Sequence, residues 1–169
     1  MYRDEFYKLL NNKENGIEIG VAKGNYSKIL NTWGFKHLYL VDAWEEFKDQ
    51  EGRLTTQATC NKWMEAVYRE LPSAKIIRAK SVHASTNFPN DFFDFIYIDA
   101  CHEYDAVLDD LNVWFPKCKI GGLFSGHDVN TEHTGVKEAL DEFCKSKNLT
   151  YKITKGTRRI PPSWYMIKE

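Results

Sequence analysis

Four residues of this chain have the types that hold a metal ion or move a proton, and they stand in two tight groups: Asp99 with His102, and His127 with Asp128. Asp99 closes the apolar run Phe93-Asp94-Phe95-Ile96-Tyr97-Ile98, where an uncompensated carboxylate is costly unless it is paired or bound to a cation. His102 stands three residues further on, where a helix would begin. His127 and Asp128 follow a second run, Gly121-Gly122-Leu123-Phe124-Ser125-Gly126. If the two runs are neighbouring parallel strands, their carboxyl ends bring the four side chains together. Aspartates with a histidine can hold a divalent ion, and hard oxygen donors favour Mg²⁺. Such an ion would polarise and orient a hydroxyl while a histidine takes its proton. The competing reading is that these residues cap strand and helix ends with no ion between them.

A second group lies in Glu18-Ile19-Gly20-Val21-Ala22-Lys23-Gly24-Asn25-Tyr26-Ser27. Glycines let a backbone turn sharply and approach a ligand, and a helix starting after Gly24 would offer free N–H groups. The dinucleotide fingerprint asks for glycines at positions one, three and six, which here hold Gly20, Ala22 and Asn25, so that match fails. Walker A fails as well, for want of Gly-Lys-Ser/Thr. Asp42 ends the next apolar run, where its carboxylate can accept hydrogen bonds from a ribose or cap the strand.

The elements that must position these groups alternate. Strands are expected at Gly16–Gly20, His37–Asp42, Lys75–Ala79, Phe93–Asp99 and Leu123–Ser125. Helices are expected at the opening residues (Tyr2, Phe6, Leu9), around Tyr26–Trp33, around Trp63–Leu71, at Val107–Phe115 and at Val136–Phe143. Residues 43–60 read as polar and irregular. Alternation of this kind argues for an α/β, doubly wound, mostly parallel sheet, in which ligands bind beyond the strands' carboxyl ends. Two strands, near Tyr151–Ile153 and Trp164–Ile167, close the chain with no helix between them, so an antiparallel pair at one edge is expected.

On these residues the first half resembles the class I S-adenosylmethionine methyltransferases, whose turn reads acid-x-Gly-x-Gly-x-Gly; Ala22 stands at the middle glycine. The resemblance implies a Rossmann-like sheet of the seven-stranded methyltransferase type. It implies that Glu18, Gly20, Ala22, Gly24 and Ser27 line the methionine part of the cofactor, that Asp42 holds the ribose, and that Ser81 approaches the adenine. Trp44 would stack on the adenine or belong to the core or the substrate wall, and Asp99 would border the cofactor. The second half, from Asp94 to Phe143, is similar to small O-methyltransferases that modify sugar hydroxyls, including macrolide-sugar enzymes. The similarity rests on Tyr97-Ile98-Asp99, His102-x-Tyr104, Asp109-x-Leu111-x-x-Trp114-x-Pro116, Gly121-Gly122, Gly126-His127-Asp128 and Gly135-Val136. It implies Asp99 and Asp128 as metal ligands and His102 as general base. His127 would be the third ligand, where the family often carries an acid, and a departure of that kind favours the softer Mn²⁺ over Mg²⁺. The implied acceptor is a hydroxyl of a sugar or glycan. A catechol-type small-molecule acceptor is one alternative. A non-catalytic cofactor-binding module is another, against which the intact Asp99, His102 and Asp128 argue, since a binder needs no base.

Bulk properties narrow the classes. At 169 residues the chain suits one domain, 1–169, and its 43% apolar and 28% charged content is that of an ordinary globular protein. A net charge of -1 gives no electrostatic case for nucleic acid or acidic lipid. No apolar run nears the ~20 residues of a membrane span, and the opening residues lack a signal-peptide pattern, so a cytoplasmic location is expected. Cys60, Cys101, Cys118 and Cys144 form no C-x-x-C pair, which argues against a zinc site or a disulfide framework. His37 and His83 read as structural, Cys101 as packing, and Arg158 and Arg159 as a solvated edge, while His133 sits in a loop that could touch an acceptor. The acceptor pocket is expected from residues 44–60 and 129–134, open or completed by a second copy of the chain in a homodimer.

Overall fold

The computed structural model describes residues 1–48, 52–129, 134–157 and 160–169. Five strands run parallel: β1 (Asn15–Ile19), β2 (His37–Asp42), β5 (Lys75–Arg78), β6 (Phe93–Ile98) and β7 (Cys118–Gly126). Two more close the chain, β8 (Lys152–Ile153) and β9 (Trp164–Ile167), and β9 pairs antiparallel with both β7 and β8. The sheet order is β5-β2-β1-β6-β7-β9-β8. β1 and β6 are buried at every position, the polar Asn15, Glu18 and Asp94 included, as central strands covered on both faces are.

Helices α1 (Asn25–Asn31) and α2 (Gln57–Glu70) cover one face, where Tyr26, Leu30 and Val67 meet Phe95, Tyr97 and Leu123. Helices α3 (Ser81–Ser85), α4 (Tyr104–Trp114) and α5 (Thr134–Lys147) cover the other, where Val107, Leu111, Trp114, Leu140 and Phe143 meet Ile17, Ile19, Ile96 and Phe124. The period-2 alternation of a strand divides the sheet residues in this way, sending Phe95 and Tyr97 to one core and Ile96 and Ile98 to the other.

Some local features differ from the sequence expectation, the short α3 and the start of α2 at Gln57 among them. The opening helix is a 3₁₀ helix over Arg3–Leu9, anchored by the buried Phe6. Within residues 43–60, β3 (Phe47–Lys48) and β4 (Leu54–Thr55) form a small antiparallel hairpin outside the main sheet, its Phe47 and Leu54 exposed. β7 begins at Cys118 rather than Leu123, with a register irregularity opposite Phe93 and Phe95. His133, Arg158 and Arg159, weighed above, lie outside the described residues. Among the described residues no helix is long and apolar enough to cross a membrane.

Candidate active site

Parallel pairing brings four strand ends to one level. The Gly20 N–H donates to Val41 O (2.8 Å), the Asp99 N–H to Ile19 O (2.7 Å), and the His127 N–H to Ile98 O (3.0 Å). Gly20 is where β1 and β6 come closest. A Cβ there would sit 2.0 Å from Asp99 O, and φ is +90°, so no side chain fits. Gly135 does the same for α5: a Cβ would lie 2.6 Å from His102 O. That glycine lets α5 close on the segment carrying His102.

The cofactor-side turn is held by its own backbone. Asp42 Oδ2 accepts the N–H groups of Val21 (2.9 Å) and Ala22 (2.8 Å), and Oδ1 accepts that of Trp44 (2.7 Å). A carboxylate offers about four lone-pair sites, so one remains for a ribose hydroxyl. Trp44 takes the core alternative: it is buried, and its indole N–H donates to Ala22 O (3.0 Å). Ala22, at the position where the resemblance expects glycine, has φ +47°. Ser27 is fully buried and its hydroxyl donates to the Glu18 carboxylate. Burial pushes the Glu18 carboxyl up to about 8 despite that bond, and the negative Asp99 adds to the rise. Both residues therefore shape the turn from beneath. The Ser81 hydroxyl is engaged within the protein. It donates to the buried Asp110 and accepts the Trp114 indole N–H (2.8 Å), tying the start of α3 to α4.

The acid–histidine cluster forms as expected, with one change of partners. His102 Nε2 lies 2.9 Å from Asp128 Oδ2 and 3.9 Å from Asp99 Oδ1. His127 Nδ1 lies 3.1 Å from Asp128 Oδ1 and 3.6 Å from Asp99 Oδ2. Two imidazoles thus bridge the same two carboxylates. Among the described residues the group whose ligand atoms all fall within 4.8 Å is Asp99, His102 and Asp128. His102, expected as the base, stands in it where His127 was expected. Asp128 sits at φ +60°, a conformation a non-glycine residue adopts at a cost, here at the functional end of β7.

Charge in this cluster is balanced internally. Burial opposes the charged forms, but the carboxylates outweigh it: Asp128 and Asp99 carry His102 up to about 10, and the same pair carries His127 to about 9. The two imidazoles hold Asp99 and Asp128 below the ordinary carboxylate range against the same burial. Both shifts favour the protonated imidazole at His102 and His127.

Arg3 and Tyr97 complete the site and were not anticipated. Arg3 Nη1 donates to the Tyr97 hydroxyl (3.1 Å), which is 2.9 Å from Ser163 Oγ. A helical period places Arg3 on the apolar stripe with Phe6 and Leu10. That lone cation was the available signal.

The sheet order, the glycine turn closed against Asp99 and the acid–histidine cluster define a methyltransferase of the S-adenosylmethionine-dependent class. Residues 17–129 match the model of a methyltransferase domain family, and the chain belongs to that family. Solved structures share the fold. The O-methyltransferase NovP is 13% identical, with 98% of this chain and 76% of that one covered at a TM-score of 0.69. A Staphylococcus aureus protein assigned as a caffeoyl-CoA O-methyltransferase is 17% identical, with 98% and 80% covered and a TM-score of 0.65. A Streptococcus mutans protein assigned as a methyltransferase, in complex with S-adenosylhomocysteine, is 13% identical, with 96% and 92% covered and a TM-score of 0.63. No curated protein matches the chain.

Proposed function

We propose that this methyltransferase acts on a hydroxyl oxygen of a sugar or other small polyol, assisted by a divalent cation. The observation that carries the reading is the convergence of Asp99, His102 and Asp128 at the adjoining ends of β6 and β7, beside Gly20. The two carboxylates fit Mg²⁺ or Mn²⁺ by charge and donor type, with the His102 imidazole beside them. When bound, such an ion supplies positive charge beside the acceptor oxygen. Asp99 and Asp128 would hold it, with the partly buried His127 beside both carboxylates. With its two acidic partners taken up in this way, His102 would be held less firmly in its protonated form and would accept the acceptor's proton. The turn between Gly20 and Ser27 orients the methyl donor, and the free acceptor site of Asp42 Oδ1 suits a ribose hydroxyl. Alignment of donor and acceptor supplies much of the acceleration of a methyl transfer.

The test is turnover, read as S-adenosylhomocysteine released, over a panel of sugars, nucleotide sugars and catechols. Activity is expected on a polyol, to fall on chelation and to return with Mg²⁺ or Mn²⁺. Full activity in excess chelator would remove the cation from the reading, and turnover confined to catechols would replace the sugar acceptor with a phenolic one.

A further inference from the structure

The opening 3₁₀ helix carries Arg3 into the space between α1 and β6. Its side chain is 16% exposed, and its guanidinium lies 4.4 Å from the centre of the Tyr26 ring. Nη1 is engaged with Tyr97, but the Nε–H is buried with no hydrogen-bond acceptor among the described residues. Asp4 Oδ1, at 3.8 Å, is too distant to serve. A buried guanidinium donor without an acceptor is costly, and its fork geometry is matched by a carboxylate.

Its surroundings indicate which carboxylate. Tyr26 follows Gly24 by two residues, and Tyr97 precedes Asp99 by two and pairs with Glu18 across β1 and β6. Arg3 therefore stands on the β6 side of the glycine turn, while Asp42 stands on the β2 side. A cofactor with its ribose at Asp42 and its sulfonium near Asp99 leaves its amino-acid end to the stretch between Gly20 and Ser27, where Arg3 packs on Tyr26. No other cation contacts the Tyr26 ring among the described residues. Glu18 beneath the turn is mostly protonated below its pKa of about 8, so it does not compete strongly for the guanidinium at neutral pH.

We infer that Arg3 holds the α-carboxylate of S-adenosylmethionine, with the Tyr26 ring and the Tyr97 hydroxyl fixing the plane of its guanidinium. It acts as a positioning residue, setting how far along the turn the methionine chain extends and so where the sulfonium lies. The inference rests on the cofactor assignment made above.

Calorimetry with two ligands tests it: S-adenosylhomocysteine, which has the carboxylate, and methylthioadenosine, which lacks the whole amino-acid end. Arg3→Gln is expected to weaken S-adenosylhomocysteine roughly 10- to 100-fold, the range for losing a hydrogen bond to a charged group. Methylthioadenosine affinity should stay within about twofold, which also certifies that the variant is folded. Arg3→Lys, which keeps the charge without the fork, should recover part of the loss. Equal weakening of both ligands would show Arg3 to be only a support of the turn. Unchanged S-adenosylhomocysteine affinity would place the carboxylate elsewhere, and either result overturns the inference. Failure of the unaltered protein to bind either ligand would overturn the cofactor assignment itself.

Discussion

The two halves of the site are built on different principles. At the cofactor turn the decisive contacts involve the main chain: three backbone N–H groups on Asp42, and the Trp44 indole on a backbone carbonyl. At the acceptor end they are all between ionisable side chains, two carboxylates against two imidazoles. The first region has its geometry whatever is bound. The second has a geometry that depends on which protons and cations are present. One half is pre-organised and the other is poised by charge, so damage to each should be read out differently.

The largest expected effect lies in the charged half. His102→Ala should lower the chemical rate by roughly 10²- to 10⁴-fold, the range for losing acid–base catalysis, with S-adenosylhomocysteine affinity unchanged. His127→Ala should instead raise the cation concentration needed for half activity. If His102→Ala weakened the cofactor as much as it slowed turnover, the two halves would not be separable.

The turn should respond in stability. Gly20→Ala forces a Cβ onto the Asp99 carbonyl at a positive φ, and on the order of 3 kcal/mol or more should be lost. Denaturant unfolding measures this directly. A variant as stable as the parent would mean that the β1 and β6 ends are free to part.

A smaller effect follows from Glu18. Its carboxyl is pushed up to about 8 by burial, above the ordinary value of 4.5. Between those values the folded chain holds a proton that the unfolded chain releases. Its contribution is therefore fully present below pH 4.5 and is lost as the pH rises through 8. Glu18→Gln should remove that decline, so the variant gains on the parent by up to ~1.4 kcal/mol per pH unit across this window. Thermal unfolding curves that stay parallel from pH 5 to 8 would refute it. The smallest change is expected for Ala22→Gly, which relieves the φ +47° position and should stabilise by ~1 kcal/mol or less. A destabilised variant would mean the Ala22 methyl packs against something it needs.

Periodicity and strand-end logic made much of this molecule legible beforehand. The offsets of Val107, Leu111 and Trp114 define α4, and two apolar runs ending in Asp99 and Asp128 place those acids side by side. What escaped was the choice of partner. Ser81 follows a strand at the expected place, yet its hydroxyl is claimed by Asp110, twenty-nine residues later. Asp42 was read as a ligand for ribose, but most of its acceptor capacity goes to backbone N–H groups that any residue type supplies. The hairpin of β3 and β4 has two residues per strand, too few to show a period. His102 and His127 are equivalent by sequence because both follow strand ends, and only their distances separate them.

The chain Arg3–Tyr97–Ser163 joins residues from the beginning, the middle and the end of the sequence, and the Lys155 N–H donates to Met1 O nearby (2.9 Å). Contacts of such long range are formed late, because each closes a large loop of chain before it returns any stability. On the ribosome the parallel strands and the glycine turn can assemble while Ser163 is still unmade. The Tyr97 hydroxyl that receives Arg3 gains its second partner when Ser163 and the closing antiparallel strand arrive. The closing strand is thus the one that locks the opening helix.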